Sequence, residues 1–513
     1  MSVLNFSILN RRRFLLTSGA LIGTGNAAGA QMMPGMPMGV PAAAPKRILT
    51  LPEGQELNSL TKLVSRSNRS GVFTATVTTA PATMEFVRGT KTEVLAYNGL
   101  VPGPLIEVTE GDRVEIEFVN KLPKQESTIH WHGLPVPPDQ DGNPMDAVPA
   151  GSKRNYVFTL PEDCGGSYWY HPHPDKYTVE QVFRGLAGAF IVKPKIDPLP
   201  KNLGDTILFI SDLRIDADGF ISPNTDADWF NGREGDHILV NGQKRPTLTL
   251  NPGASHRFRI YNVSNGRYLR LAFQDHYMTL IGTDGGLLGA PVRGLKEILL
   301  APAERAEVVV DFRNTPGQVS LENLPYDRGW MGGDKPPAVA TSVLLISLTG
   351  EIRGPTTLPA KLRDIKDLGT PTARKNLVFG EKMAMGPGGM SVEFLIDGKA
   401  FEIGRVDLIS RLNEVEVWEI ANPTDMDHPL HLHGTQFQVI ERVTNGGTVK
   451  APFLSWKDTV NVVRGESVRF KVRQDMRGLR MYHCHILEHE DMDMMRPFDI
   501  VLPGDSRLKP KAK

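Results

Sequence analysis

The chain has 513 residues, 40% hydrophobic and 23% charged, with Lys+Arg and Asp+Glu equal at 58 each. Its length suggests about three domains at ~150 residues apiece, and the balanced charge gives no sign of a nucleic-acid partner or an acidic substrate. The 50 glycines and 39 prolines favour a turn-rich β protein over a helical one.

Residues 1–30 have the form of an export signal. Arg11, Arg12 and Arg13 precede a short apolar run, 15–28, and Ala28-Gly29-Ala30 is a small-residue cleavage site ahead of Gln31. The run is too short and too broken by Gly and Asn26 for a membrane span, and no other stretch looks transmembrane. The paired arginines, with Phe14 and Leu15 following, resemble a twin-arginine signal, a route that exports folded, cofactor-bearing proteins. This implies a periplasmic location. Met32, Met33, Met36 and Met38 then lie among Pro and Gly in a segment, 31–67, that reads as a linker. Thioethers favour Cu(I), so copper capture there is an alternative.

From residue 68 onward the chain reads as strands. Short β-branched or aromatic runs bounded by turns occur at 72–78, 113–119, 156–160, 189–192, 206–210 and 343–348, and a turn or two of helix fits 178–184. A repeat organises them. Asn98-Gly99 leads to a strand, a turn, a second strand and Asn120. Asn241-Gly242 leads in the same way to Asn262, and Asp397-Gly398 to Asn422. The intervals are 22, 21 and 25 residues, so one unit recurs three times. Three similar β-sandwiches follow, at 68–195, 205–350 and 374–503, with a Pro-, Thr- and charge-rich linker at 351–373.

The repeats differ in what comes next. After Asn120 comes His130-Trp-His132-Gly133, and later His171-Pro-His173. After Asn262 there is no histidine pair. After Asn422 comes His428-Pro-Leu-His431-Leu-His433-Gly434, and later His483-Cys484-His485. A His-x-His pair on a strand puts two imidazoles on one face, ~7 Å apart at Cα, so one strand can serve two neighbouring metals. Four pairs with matched placement give eight imidazoles from the first and third domains. His237, His256 and His276, in the middle domain, read as structural.

The stretch from Met481 to Met494 adds a second centre. On a strand, Cys484 points away from His483 and His485, so one short piece of backbone joins a thiolate site to the imidazole sites. Cys484, His489 and Met494, with His428 as the remaining imidazole, form the soft His₂Cys-plus-Met set of an electron-transfer copper site. Zinc is the main rival, although closed zinc sites rarely use Met. The other cysteine, Cys164, sits in a turn-like context and reads as structural. With Cys484 on a metal, the chain has no disulfide.

With these four motifs, residues 68–503 resemble the three-domain multicopper oxidases of bacterial laccase and cuprous-oxidase type. The C-terminal run through Met494-Met495-Arg496-Pro497 is especially similar to that of spore-coat laccases. The resemblance implies an all-β fold of three cupredoxin-like Greek-key β-sandwich domains and four copper ions per chain. It places His428, Cys484, His489 and axial Met494 on the type 1 copper, and His130 and His431 on the type 2 copper. One type 3 copper falls to His132, His171 and His485, the other to His173, His433 and His483. It implies four one-electron substrate oxidations coupled to reduction of O₂ to two waters, with Asp141 and Glu490 relaying protons.

Two donors remain open: Cu(I), in a copper-tolerance role, and phenols or aromatic amines. Met383, Met385 and Met390 form a short Met-containing loop, and Asp425, Met426 and Asp427 precede His428; all are candidates for Cu(I). The acid that some cuprous oxidases carry four residues before this histidine is Thr424 here. The shortness of the loop predicts open edges at His428 and His489. A scaffold relative without activity, or a copper-storage protein, would not need the full histidine set or a cysteine flanked by two histidines. Copper nitrite reductases usually lack the eight imidazoles. O₂ is the implied partner, with no nucleic acid or membrane, and a monomer is expected.

Overall fold

The computed structural model describes residues 47–508, apart from 314, 316, 333, 334, 387 and 388. The arginine signal and the methionines at 32–38 lie outside the described residues. Every strand run expected from the sequence is present, and the short helix is Thr178–Phe183. No helix among the described residues is long and apolar enough to cross a membrane.

Three cupredoxin-like β-sandwiches follow one another. In the first, a four-stranded sheet with Val72–Val87 and Arg113–Asn120 at its centre faces a second in the order Gly103–Thr109, Gly188–Lys193, Gly166–His171, His130–His132. Val72–Val87 runs parallel to Arg113–Asn120, a pairing that a hairpin cannot make and that needs a crossover connection. The inward residues of both sheets, among them Phe73, Val77, Ile116, Phe118, Trp131 and Tyr170, form one core. The middle sandwich packs a seven-stranded sheet on a five-stranded one, and the third a six-stranded on a five-stranded one.

The sequence repeat has a physical basis. Asn98, Asn241 and Asp397 all have φ between 52° and 53°, and the glycine after each is also left-handed, as a tight turn with two positive φ values requires. Each side chain then ties its turn to an earlier strand, accepting from the backbone N of Thr78, Phe209 and Val378 in turn at 2.7–2.9 Å. The closing asparagines repeat as well. Asn120 Nδ2 donates to the carbonyls of Gln125 and Val148, Asn262 to those of Arg267 and Leu300, and Asn422 to those of Met426 and Val462. These buried amides fix the loop that leads into His130 in the first sandwich and into His428 in the third. Each bond contributes about 1 kcal/mol, and an orphaned partner would cost more.

Two stretches expected to be loose linkers are pinned. Residues 47–67 run extended along the sandwiches, with Leu49, Leu57 and Leu63 donating to the carbonyls of Ile215, Thr247 and Leu105. Leu51 is buried beneath them. In the later connector, Leu358 and Leu362 enter a cluster with Leu199, Ile281 and Leu287. Both segments carry isolated leucines among polar residues, too widely spaced to register as a periodic pattern.

Candidate metal centres

The strand His130–His132 pairs antiparallel with Gly166–His171, setting His130 opposite His171 and His132 opposite Trp169. In the third sandwich His428–Leu432 lies beside Gly478–Cys484, with His431 opposite His483 and Leu430 opposite Cys484. Strand alternation then separates two centres. Cys484 faces inward, in the same buried cluster as Trp418, Tyr482 and Met494. Trp418 meets the Tyr482 ring edge-on at 5.5 Å, a contact worth about 0.5–1.5 kcal/mol beyond its buried area. His483 and His485 face the first sandwich.

At the first centre, Cys484 Sγ lies 3.4 Å from His428 Nδ1 and 3.8 Å from His489 Nδ1, and the two Nδ1 atoms are 3.2 Å apart. The Met494 backbone pairs with Cys484 and His489, and its side chain is buried with them. His489 sits on the helix Leu487–Asp491. At the second centre eight imidazoles, all at most 1% exposed, converge between the first and third sandwiches. Their ligand atoms gather into groups within 4.8 Å of one another: His132 with His171 and His485, His173 with His433 and His483, and His130 with His431 and His132. The first two groups are the same trios that the resemblance implies, while His130 and His431 come together with His132 as well. The middle-domain histidines lie elsewhere and each has a protein partner, His237 Nε2 the Leu49 carbonyl, His256 Nε2 Thr206 and His276 Nε2 Thr315, although His237 Nδ1 is buried without one.

Hydrogen-bond partners choose the tautomers. His130 donates from Nδ1 to the Asp141 carbonyl, His171 to that of Pro172, His431 to that of Asp458 and His483 to that of Cys484, each at 2.9–3.0 Å. His433 donates from Nδ1 to Asp141 Oδ2 at 3.0 Å. These five rings turn a bare Nε2 towards the middle of the cluster. His132 is reversed: its Nε2 donates to Asp458 Oδ1 at 3.1 Å, and its Nδ1 has no partner. His171 Nε2, His173 Nδ1 and both nitrogens of His485 are also buried without a partner. Orphaned buried nitrogens are costly in an ordinary core. Converging lone pairs of neutral imidazoles are what a metal needs. Burial, reinforced by neighbouring imidazoles, pushes His132, His431, His433 and His485 well below the usual histidine range, so they are neutral and ready to ligate. Burial pushes the Cys484 thiol up, so losing its proton requires a metal to replace it.

Both acids expected near the cluster are there. Asp141 is fully buried, and besides His433 it lies 3.4 Å from His130 Nδ1 through Oδ1, an oxygen with no hydrogen bond. Its loop fits so tightly that a Cβ on Gly142 would overlap the Ile129 carbonyl. Glu490 is 1% exposed and lies 3.1 Å from His483 Nδ1 and 3.3 Å from His173 Nε2, with no well-aligned hydrogen bond to either oxygen. Burial works against its ionisation, but the His173 and His483 imidazoles outweigh it and hold the carboxyl below its ordinary range.

Two expectations about the donor side are corrected, and one residue is added. The edges of His428 and His489 are closed, and both rings are fully buried. His428 Nε2 meets Thr424 Oγ1 at 3.0 Å and Glu381 Oε1 at 3.3 Å, and His489 Nε2 donates to the Phe230 carbonyl at 3.0 Å. A helix of the middle sandwich, Asp226–Asn231, closes the second edge, which loop length in the third domain could not foretell. Met426 is fully buried in the core of the third sandwich and is a packing residue. Glu381, not singled out in the sequence, supplies the acid beside His428 that Thr424 lacks. Its signal was the alternation Glu381-x-Met383-x-Met385, which puts three side chains on one face of the strand Ala373–Gly386.

A thiolate with two imidazoles at one centre and eight imidazoles at another, within three cupredoxin-like sandwiches, is the donor set of a copper oxidoreductase. Comparison with known proteins agrees. Family models described as multicopper oxidase match residues 78–197, 211–322 and 372–502. A multicopper oxidase of Staphylococcus haemolyticus is 33% identical over 441 residues, 84% of this chain and 89% of that protein. A laccase of Bacillus subtilis is 31% identical over 80% of this chain and 91% of its own length. Among solved structures, a multicopper oxidase from Campylobacter jejuni described as a metallo-oxidase superposes with a TM-score of 0.84 at 41% identity, covering 89% of this chain and 98% of that one. The chain belongs to the multicopper oxidase family.

Proposed function

We propose that the protein holds four copper ions and couples four one-electron oxidations, with Cu(I) the favoured donor, to the reduction of O₂ by four protons and four electrons to two waters. His428, Cys484, His489 and Met494 hold the type 1 ion, and His130 and His431 the type 2. His132, His171 and His485 hold one type 3 ion, and His173, His433 and His483 the other. Copper supplies one-electron relay at the cysteine centre and multi-electron reduction of O₂ at the histidine cluster. Cys484 and its neighbours His483 and His485 provide the through-bond route between the two. Glu490 and Asp141 each present an unpaired oxygen beside the cluster, where they take up and hand on protons.

The observation that carries the donor assignment is the closed His428 edge. Glu381 stands against His428, and Met383 and Met385, 55% and 81% exposed, continue from it along one strand face towards solvent. At ~7 Å per pair of residues, carboxylate and thioethers form a short line of donors from water to His428. They suit a small soft cation better than a bulky ring. The Campylobacter jejuni relative's description as a metallo-oxidase supports the same reading. Met383→Leu with Met385→Leu keeps apolar volume and is expected to lower Cu(I) turnover several-fold while methoxyphenol turnover holds or rises. Parallel changes in both would make the methionines mere surface packing.

A laccase role is the second reading. It is supported by the relatives named laccase and by a cleft of about 630 Å³ lined by Tyr177, Phe183, Phe220 and Trp229. Trp229 adjoins Phe230, whose carbonyl accepts from His489. Steady-state turnover with Cu(I), a methoxyphenol and Mn(II), side by side, separates the donors. Copper detoxification outside the cytoplasm follows from a Cu(I) donor and the twin-arginine signal. Replacing Arg11 and Arg12 by Lys is expected to leave unprocessed protein in the cytoplasm, and normal export of that variant would assign the general secretion route.

A further inference from the structure

The middle sandwich contributes none of the ligands, yet it reaches the histidine cluster through one side chain. Arg305, 1% exposed, opens the strand Arg305–Asp311. Its guanidinium engages all five N–H groups. Nη1 and Nη2 form a two-pronged pair with Asp458 at 2.7 and 2.6 Å. Nη1 also reaches the Ala303 carbonyl, Nη2 that of Asp284, and Nε that of Ser167. Ser167 lies on the first-sandwich strand that carries Trp169 and His171. Asp458 belongs to the third sandwich and is fully buried. Its Oδ1 also accepts from Thr459 Oγ1 at 2.9 Å and from His132 Nε2 at 3.1 Å, and its carbonyl accepts from His431 Nδ1 at 2.9 Å. A single guanidinium of the ligand-free domain thus grips an element of each domain that bears ligands.

We infer that Arg305 is a positioning residue for the copper cluster, acting through Asp458 to lock His132 in the Nε2–H tautomer with Nδ1 turned to the metal. The reasoning is geometric. A carboxylate that already receives two guanidinium N–H groups is fixed in direction, and its Oδ1 meets His132 Nε2 as an acceptor. His132 then carries its proton on Nε2, the reverse of the five rings of the cluster that donate from Nδ1. The orphaned His132 Nδ1 is the complement of that constraint. The fit leaves no slack: a Cβ on Gly133, directly after His132, would overlap the Asp458 carboxylate and come within 2.7 Å of Arg305 Nη2. Partners of this kind fix ring orientation and basicity, and losing one typically lowers metal affinity about 10–100-fold.

The inference rests on the copper-ligand assignment proposed above, and the test separates the two. Copper-free protein is titrated with copper ions alone, recording copper bound per chain, blue absorbance and the melting temperature of the apoprotein. Arg305→Lys keeps the charge but loses the fork. Arg305→Met with Asp458→Leu removes both buried charges together, so neither is left unpaired. In both variants the blue absorbance is expected to stay at the wild-type level and the apoprotein to stay folded but melt lower, since the Ser167, Ala303 and Asp284 carbonyls lose donors. Copper affinity at the histidine cluster should fall about tenfold or more. Wild-type affinity at the cluster in either variant would reduce the clamp to a structural ion pair and overturn the inference. Loss of the blue absorbance along with the cluster would overturn it too, since the effect would then be global. A wild-type protein that stops at one copper per chain would sink the ligand assignment and the clamp with it.

Discussion

Cys484→Ser is expected to yield a colourless protein with no oxidase activity above that of dissolved copper. The wild-type holoenzyme should be intensely blue, because a thiolate bonded to Cu(II) absorbs strongly in a site with two imidazoles and a weak axial thioether. A serine hydroxyl is harder and far less acidic, and it cannot replace that bond. The thiol lies in a fully buried pocket that pushes its proton affinity up, so the thiolate exists there only when a metal displaces the proton. Serine is slightly smaller and differs only in oxygen for sulfur, and the surrounding Trp418, Tyr482 and Phe498 rings pack on one another. The fold should survive, making the loss specific to electron entry. A blue Cys484→Ser protein would defeat the assignment of the first centre.

His433→Ala and His171→Ala are expected to do the opposite: the colour persists and O₂ reduction stops. Neither ring is in the cysteine centre. His433 hangs from Asp141 and faces His483 across 3.0 Å between their Nε2 atoms. His171 turns an unpartnered Nε2 into the group with His132 and His485. Each variant should be bleached by a reductant at the normal rate and then fail to recover its colour in air, because electrons enter but have no outlet. Either variant reducing O₂ to water at the wild-type rate would mean that the cluster lies elsewhere.

What could be read from the sequence was whatever is local. The His-x-His pairs, the Cys484 alternation and the repeat from Asn98, Asn241 and Asp397 each depend on residues within about thirty positions of one another, where strand periodicity and turn chemistry suffice. The parts that stayed hidden are those made by distant segments. Asp458 meets Arg305 across 153 residues, and neither lies in a spacing that suggests a metal. The Phe230 carbonyl that closes His489 is a backbone atom, which a side-chain pattern cannot announce. Met426 looked like a candidate for Cu(I) because it precedes Asp427 and His428. The Asn422 bond to the Met426 carbonyl, however, turns that loop so that the thioether is swallowed by the core.

The facing of His130 and His431 has a consequence for the apoprotein. Their Nε2 atoms lie 3.3 Å apart although 301 residues separate them along the chain, and the His173–His483 contact spans 310. An ion shared across that seam is a reversible cross-link that closes a very long loop. In an unfolded chain, closing a loop of that length costs about 5 kcal/mol of entropy. Each sandwich keeps its own core and turn bonds whether or not the seam is bridged. Metal loading therefore tightens how the terminal domains are docked more than it alters either domain internally, and chelation would loosen the seam first.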